Sequence, residues 1–146
     1  MHILPGCKVL AASNYLIRHN NASMVLTVEW AKQESLLSKD YVWYKQRWSK
    51  GTVLEGNGRK ICWDFQFTMK NTTSQKRPDL MIEIDDEKKL WIVDMACPNE
   101  KNIGEKHREK LTKHQQLAFE IREYKVAIVP IVIGCFGGGM KQMKCQ

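Results

Sequence analysis

No Cys-x-x-Cys pair occurs anywhere in the chain, and its five cysteines, Cys7, Cys62, Cys97, Cys135 and Cys145, are odd in number and scattered. A disulfide framework is therefore not expected, and a reducing, intracellular compartment suits the thiols better. No apolar run reaches eighteen residues, and the first thirty residues carry no charged-then-apolar signal pattern. Neither membrane spanning nor export is expected, so the sequons Asn21-Ala22-Ser23 and Asn71-Thr72-Thr73 carry no weight. Internal repeats and low-complexity segments are also missing. What remains is a chain of 146 residues, enough for one compact domain that buries roughly two thirds of its unfolded surface. Acidic residues are in the minority, 16 against 23 Lys and Arg, and the resulting net charge of +7 suits a polyanionic partner, nucleic acid first, with a merely soluble basic surface as the plain alternative.

Hydrophobic periodicity gives the order helix, three strands, helix, strand. A helix capped by Asn20 or Asn21 runs to about Leu37, with Val25, Val28 and Ala31 on its apolar side. After the aromatic and basic stretch DYVWYKQRWSKG and a turn at Gly56-Asn57-Gly58, Ile61, Trp63, Phe65 and Phe67 alternate with polar neighbours as a half-buried strand. The polar loop NTTSQ leads to two further strands, about 79–84 and 90–96, joined by DDEKK. A helix over 103–124 follows, and VAIVPIVIG reads as a central strand, apolar on both faces despite Pro130. The Gly-rich end from Gly137 is expected to fray.

The segment RPDLMIEIDDEKKLWIVDMACP, Arg77 to Pro98, places Asp94 inside a run as apolar as Leu90-Trp91-Ile92-Val93. An unpaired carboxylate there costs several kcal/mol or takes up a proton. A turn symmetric about Asp86-Glu87 sets Ile84 opposite Lys89, Ile82 opposite Trp91, Leu80 opposite Val93, and hence Asp79 opposite Asp94. Leu80, Ile82, Trp91, Val93 and Met95 then share one apolar face. The two carboxylates come within about 5 Å at their Cβ atoms and repel unless one is protonated or a cation sits between them. A divalent metal with oxygen ligands is the economical solution. Taken singly, each aspartate is better explained by a turn or by a neighbouring Lys or Arg; the opposed pair reverses that judgement.

Stepping about 100° per residue, Ile103, Lys110, His114, Leu117, Ile121 and Tyr124 fall on one stripe of the second helix. Lys110 lies in mid-stripe with Lys106 and Lys113 on its flank, which turns a cluster of amines toward the sheet. A snorkelling lysine or a solvated charge run is the ordinary account of such residues. An amine beside a carboxylate pair can also orient a water and steady negative charge on phosphate.

With these residues in place, the chain resembles the PD-(D/E)xK nuclease superfamily, whose core order is the same and in which an RPD motif opens the second strand. More narrowly, YLIRHNNAS, CWDF, RPDLMI, WIVDMACPNEKNI, EKLTKHQQLAFEI and VPIVIGCFG are similar to the restriction-like endonuclease region that follows reverse transcriptase in site-specific non-LTR retrotransposons. The resemblance implies an α/β fold with a restriction-endonuclease-like core around a mixed sheet, and a metal-dependent DNA endonuclease that nicks target DNA for reverse transcription. It implies Asp79 and Asp94 as ligands of Mg²⁺ or Mn²⁺, and Lys110 and Lys113 as catalytic amines. The lysine usual two residues after the second acid is here Ala96; Glu109, Lys110 and Lys113 match a displaced EKxxKY-like segment, with His114 in place of its Tyr. Arg77, Lys106, Arg47 and Lys50 are expected on DNA, Arg77 against phosphate or Asp94. Glu29 is a less favoured further ligand, a solvated helix face being the simpler account.

In the same family a CCHC zinc knuckle precedes the nuclease, and HILPGC reproduces its His-x4-Cys half in His2 and Cys7. Two ligands hold zinc poorly where structural sites need four, so no stable zinc is expected. The implied organisation is a truncated knuckle over 1–13, the nuclease over 14–140 and a basic tail over 141–146. The chain then reads as a fragment of, or a degenerate copy from, a longer nuclear retroelement protein, its partners DNA and the element's reverse transcriptase. Two other readings stand beside this one. The first is a catalytically inactive nucleic-acid-binding remnant that uses Arg47, Lys50, Trp43, Tyr44 and Trp48. The second is a structural or interaction domain in which Asp94 is neutralised by Lys110 as a buried ion pair.

Overall fold

The structure is a computed structural model that describes the backbone of residues 8–45, 51–63 and 78–134, and side chains from residue 14 onward within those ranges. The fold is mixed α/β. Helix α1 (Lys8–Gln33) is followed by strands β1 (Val53–Gly56), β2 (Arg59–Trp63), β3 (Leu80–Ile84) and β4 (Lys89–Ala96). A 3-10 turn over Glu100–Asn102 opens α2 (Ile103–Lys113), then come α3 (Gln115–Glu120) and β5 (Lys125–Val132). The five strands form one mixed sheet in the order β1-β2-β3-β4-β5, antiparallel as far as β4 and parallel between β4 and β5. A parallel pair needs a crossover, which α2 and α3 supply.

Local chemistry explains the turns. Asn57 and Gly58 between β1 and β2 both have positive φ, 54° and 72°, the conformation a two-residue hairpin demands. Between β3 and β4 the chain turns through Asp85-Asp86-Glu87-Lys88, closed by the Lys88 N–H donating to the Asp85 carbonyl at 3.1 Å. The register that follows pairs Ile84 with Lys89, Ile82 with Trp91 and Leu80 with Val93, as the apolar pattern requires.

Side-chain alternation then divides the sheet into two faces, one under α1 and one that α2 covers over β4 and β5. Leu80, Ile82, Ile84 and Val93 pack with Leu54, Ile61, Val28, Ala31 and Leu37 into one cluster under α1, with Trp91, Val129 and Ile131 packed against it. Met95 belongs to this side as well, where the Ser23 hydroxyl donates to its sulfur at 3.1 Å. The alternate residues of β4, Leu90, Ile92, Asp94 and Ala96, are all buried on the other side, where α2 lies against β4 and β5.

Several elements differ from the sequence expectation. Helix α1 begins at Lys8, so Asn20 and Asn21 lie inside it: Asn costs a helix interior only a few tenths of a kcal/mol, too little to stop propagation from the Lys-Val-Leu-Ala-Ala run upstream. It ends at Gln33, four residues early, because Ser35 takes a left-handed conformation (φ 60°). The Leu36 N–H then reaches the Ala31 carbonyl at 2.7 Å and the Ser35 N–H the Lys32 carbonyl at 3.2 Å, the Schellman pattern. The hairpin β1-β2 adds a strand that was not expected. The helix of 103–124 is divided at His114 and ends at Glu120, leaving Tyr124 outside it. Strand β5 is an edge strand among the described residues, not a central one, and that position accommodates Pro130. Phe65, Phe67, NTTSQ and the tail lie outside the described residues. No helix among those described is long and apolar enough to cross a membrane.

Candidate functional site

Asp94 is the sixth residue of β4 and points away from α1, into the layer between the sheet and α2. It is 0 % exposed, so the water that would solvate its charge has to be replaced by donors. Three side chains from the crossover do this. Lys110 donates to Oδ1 at 2.6 Å, Lys113 to Oδ2 at 2.8 Å, and His114 from Nε2 to Oδ2 at 2.6 Å. Burial pushes the carboxyl pKa up, but contacts with His114, Asp79, Lys110 and Lys113 outweigh it and hold Asp94 well below the usual carboxylate range.

The spacing of these donors dictates the helix break. Lys110 and Lys113 are three apart on α2, so both amines overhang one point of the sheet. His114 caps α2 with φ −107° and ψ 6°, outside the helical well, and its ring enters the layer completely. Its buried Nδ1 has no hydrogen-bond partner among the described residues, while Nε2 faces the Asp94 carboxylate, which can only accept from it.

Asp79 sits one residue ahead of β3, where the register continued from Leu80 and Val93 brings it beside Asp94. Its Oδ2 accepts the Met95 N–H at 2.6 Å and the His19 Nε2–H at 3.1 Å. The hydrogen bond to Asp79 raises the His19 pKa against the lowering effect of burial. His19 projects from the middle of α1 and stacks on Tyr15, one turn back, at 6.1 Å between ring centroids. A cleft of about 410 Å³ opens on Asp79 between α1 and the start of β3, lined by His19, Asn20, Ser23, Met24 and Trp63 among others.

Four of the expected site residues, Asp79, Asp94, Lys110 and Lys113, thus meet at one end of the sheet. Lys106 does not join them: it pairs outward with Glu109 at 2.6 Å on the exposed side of α2. Lys106 lies one turn before Lys110 and only about 40° round the helix, but that turn carries it away from Asp94 along α2 and a local acid, Glu109, captures it. Glu29 faces solvent and pairs with Lys32 at 3.2 Å. His2, Cys7, Arg47, Trp48, Lys50 and Arg77 lie outside the described residues; Tyr44 is exposed, and Trp43 packs at the core margin with its ring edge-on to Tyr44.

Two histidines, His19 and His114, are partners of the aspartates that the sequence pattern does not assign to them. His114 was legible from its place on the Lys110 stripe. His19 had no comparable signal, because its link to Asp79 spans sixty residues and two elements.

The carboxylates of Asp79, just ahead of β3, and Asp94 of β4 are hard oxygen donors, the ligand type that suits Mg²⁺ or Mn²⁺. Two protein carboxylates are the usual complement of Mg²⁺, which keeps most of its waters. Comparison of the chain with protein-family models, with characterised proteins and with solved structures returns no match.

Proposed function

We propose that this protein is a divalent-metal-dependent DNA endonuclease with a restriction-endonuclease-like core, of the kind found beside reverse transcriptase in non-LTR retrotransposons, acting in the nucleus on target DNA. The observation that carries the reading is the convergence of Asp79, just ahead of β3, and Asp94 of β4 with the Lys110 and Lys113 amines from the next helix, both within 2.8 Å of Asp94. Asp79 and Asp94 would hold Mg²⁺ or Mn²⁺, which when bound lowers the pKa of water and polarises phosphate. Lys110 and Lys113 supply positive charge beside the carboxylates, where a scissile phosphate gathers negative charge as the attacking oxygen arrives. The amines need no proton transfer to do this, only the fixed position that Asp94 and the sheet give them. Net charge of +7 favours approach to a polyanion.

Nicking of supercoiled DNA in Mg²⁺ or Mn²⁺ tests the reading directly. Asp79→Asn and Asp94→Asn are expected to abolish it, and Lys110→Met to slow it by about 10²–10³-fold. Metal-dependent nicking that survives both aspartate substitutions would sink the proposal.

One observation favours a second reading. Both oxygens of Asp94 are already engaged by cationic or hydrogen-bonding side chains, so the cluster is electrostatically complete as a structural feature. On that reading divalent metal leaves the melting temperature unchanged and Lys110→Met is tolerated when packing is kept.

A further inference from the structure

The sheet fixes Asp94 firmly, since it lies within β4 and has three side-chain donors. Asp79 has no such frame. It precedes β3, outside the strand, and the ladder does not set its side chain. What sets it is a pair of donors from different parts of the fold, the Met95 N–H at 2.6 Å and His19 Nε2 at 3.1 Å. Both converge on Oδ2, so together they hold that oxygen in place where the register sets Asp79 beside Asp94.

The imidazole is itself held in place. Tyr15 stacks on it from one turn back, and its Nδ1 lies 3.3 Å from Asn20 Oδ1. Its side chain is 16 % exposed and forms part of the wall of the cleft that leads to Asp79. Apolar packing gives no reason for a half-buried histidine here; the core under α1 is filled by hydrocarbon farther along the helix, at Val28 and Ala31.

We propose that His19 is a positioning residue for Asp79: from α1 it holds the carboxyl in the orientation that divalent-metal binding needs, as outer partners of ligating side chains do at metal sites. The inference rests on the nuclease reading above and adds to it a contribution from the first helix, which carries neither ligand nor catalytic amine.

The test is Mn²⁺ binding followed by loss of the free-ion electron paramagnetic resonance signal, on the full chain and its variants, without DNA. Wild type is expected to bind and Asp79→Asn to lose binding. His19→Ala should weaken Mn²⁺ affinity about tenfold. His19→Gln, whose amide N–H can reach the same oxygen, should recover most of that loss, and the metal-free melting temperatures of the two His19 variants should agree. Wild-type affinity in His19→Ala overturns the positioning role and leaves the nuclease reading standing. Equal loss in both His19 variants, with a lowered metal-free melting temperature, assigns the effect to folding and also overturns it. If wild type binds no Mn²⁺ while folded, the nuclease reading falls and this inference with it.

Discussion

A carboxylate cut off from water keeps its charge only when other charges stand in for the water, and Asp94 is such a group. Removing it takes the buried counter-charge from Lys110 and the hydrogen-bond acceptor from His114, so Asp94→Ala is expected to cost about 3–5 kcal/mol in a urea melt. Its depressed pKa sets the sign of a pH effect: the stabilisation is present above the unfolded carboxyl value, near 4, and is lost as acid carries the pH down through the folded one. Thermal melts from pH 7 to 3 should therefore fall more steeply for wild type than for Asp94→Asn. Tyr124 offers the opposite sign. Its hydroxyl donates to Glu83 at 2.7 Å, and that bond, aided by burial, pushes its pKa up to about 12. The Tyr124 contribution is whole below pH 10 and fades as the pH rises toward 12. Phenolate absorbance should show one of the four tyrosines titrating late, and Glu83→Gln should bring it back toward 10. Legibility at this scale followed sequence distance. Asp94 stood out because its neighbours are apolar, and Asp79 followed from a register fixed by a short turn. His19 could not be reached in that way, because no local pattern reports a contact between a helix and a strand end.

Among the elements, strands were easier to read than helix ends. The hairpin β3-β4 has a strict alternation and a four-residue turn, so one register alone buries its apolar face. Asn57-Gly58 is an equally strong hairpin signal, and it implied the upstream strand β1 that the apolar alternation of 61–67 overshadowed. Helix ends depend on single residues whose side chains say little. At α1 a serine occupies the left-handed position that glycine fills most easily. Ser35→Gly is accordingly expected to stabilise the protein by about 1 kcal/mol, measured by denaturant midpoint at unchanged slope. At α2 the periodic stripe continues through His114 unbroken in sequence, yet the ring's bond to Asp94 turns the backbone out of the helix. Tertiary electrostatics won there over a weak local preference.

For the molecule as a whole, the sheet end that joins Asp79, Asp94 and the amines of α2 is where a ligand would report itself in global stability. If the site takes Mn²⁺, ion at about a hundredfold excess over its dissociation constant adds about 2.7 kcal/mol. For a chain of this size that raises the melting temperature by about 5–10 °C, and Asp79→Ala should remove the rise. Charge was legible in total but not in arrangement, since many described cations are paired locally, Lys32 with Glu29, Lys88 with Asp85, Lys106 with Glu109. The edge position of β5 has a bearing on how copies of the protein treat each other. The Lys125 N–H donates to the Lys88 carbonyl just ahead of β4 and the Ile133 N–H to that of Ala96 at its end, so by parallel alternation the even-numbered residues between them present theirs outward. Pro130 has no N–H to present, and it interrupts the row that a second chain would need to extend the sheet. A proline that looked out of place in an apolar strand thereby acts as a guard against aggregation: Pro130→Val should leave the fold intact and raise light scattering on concentration.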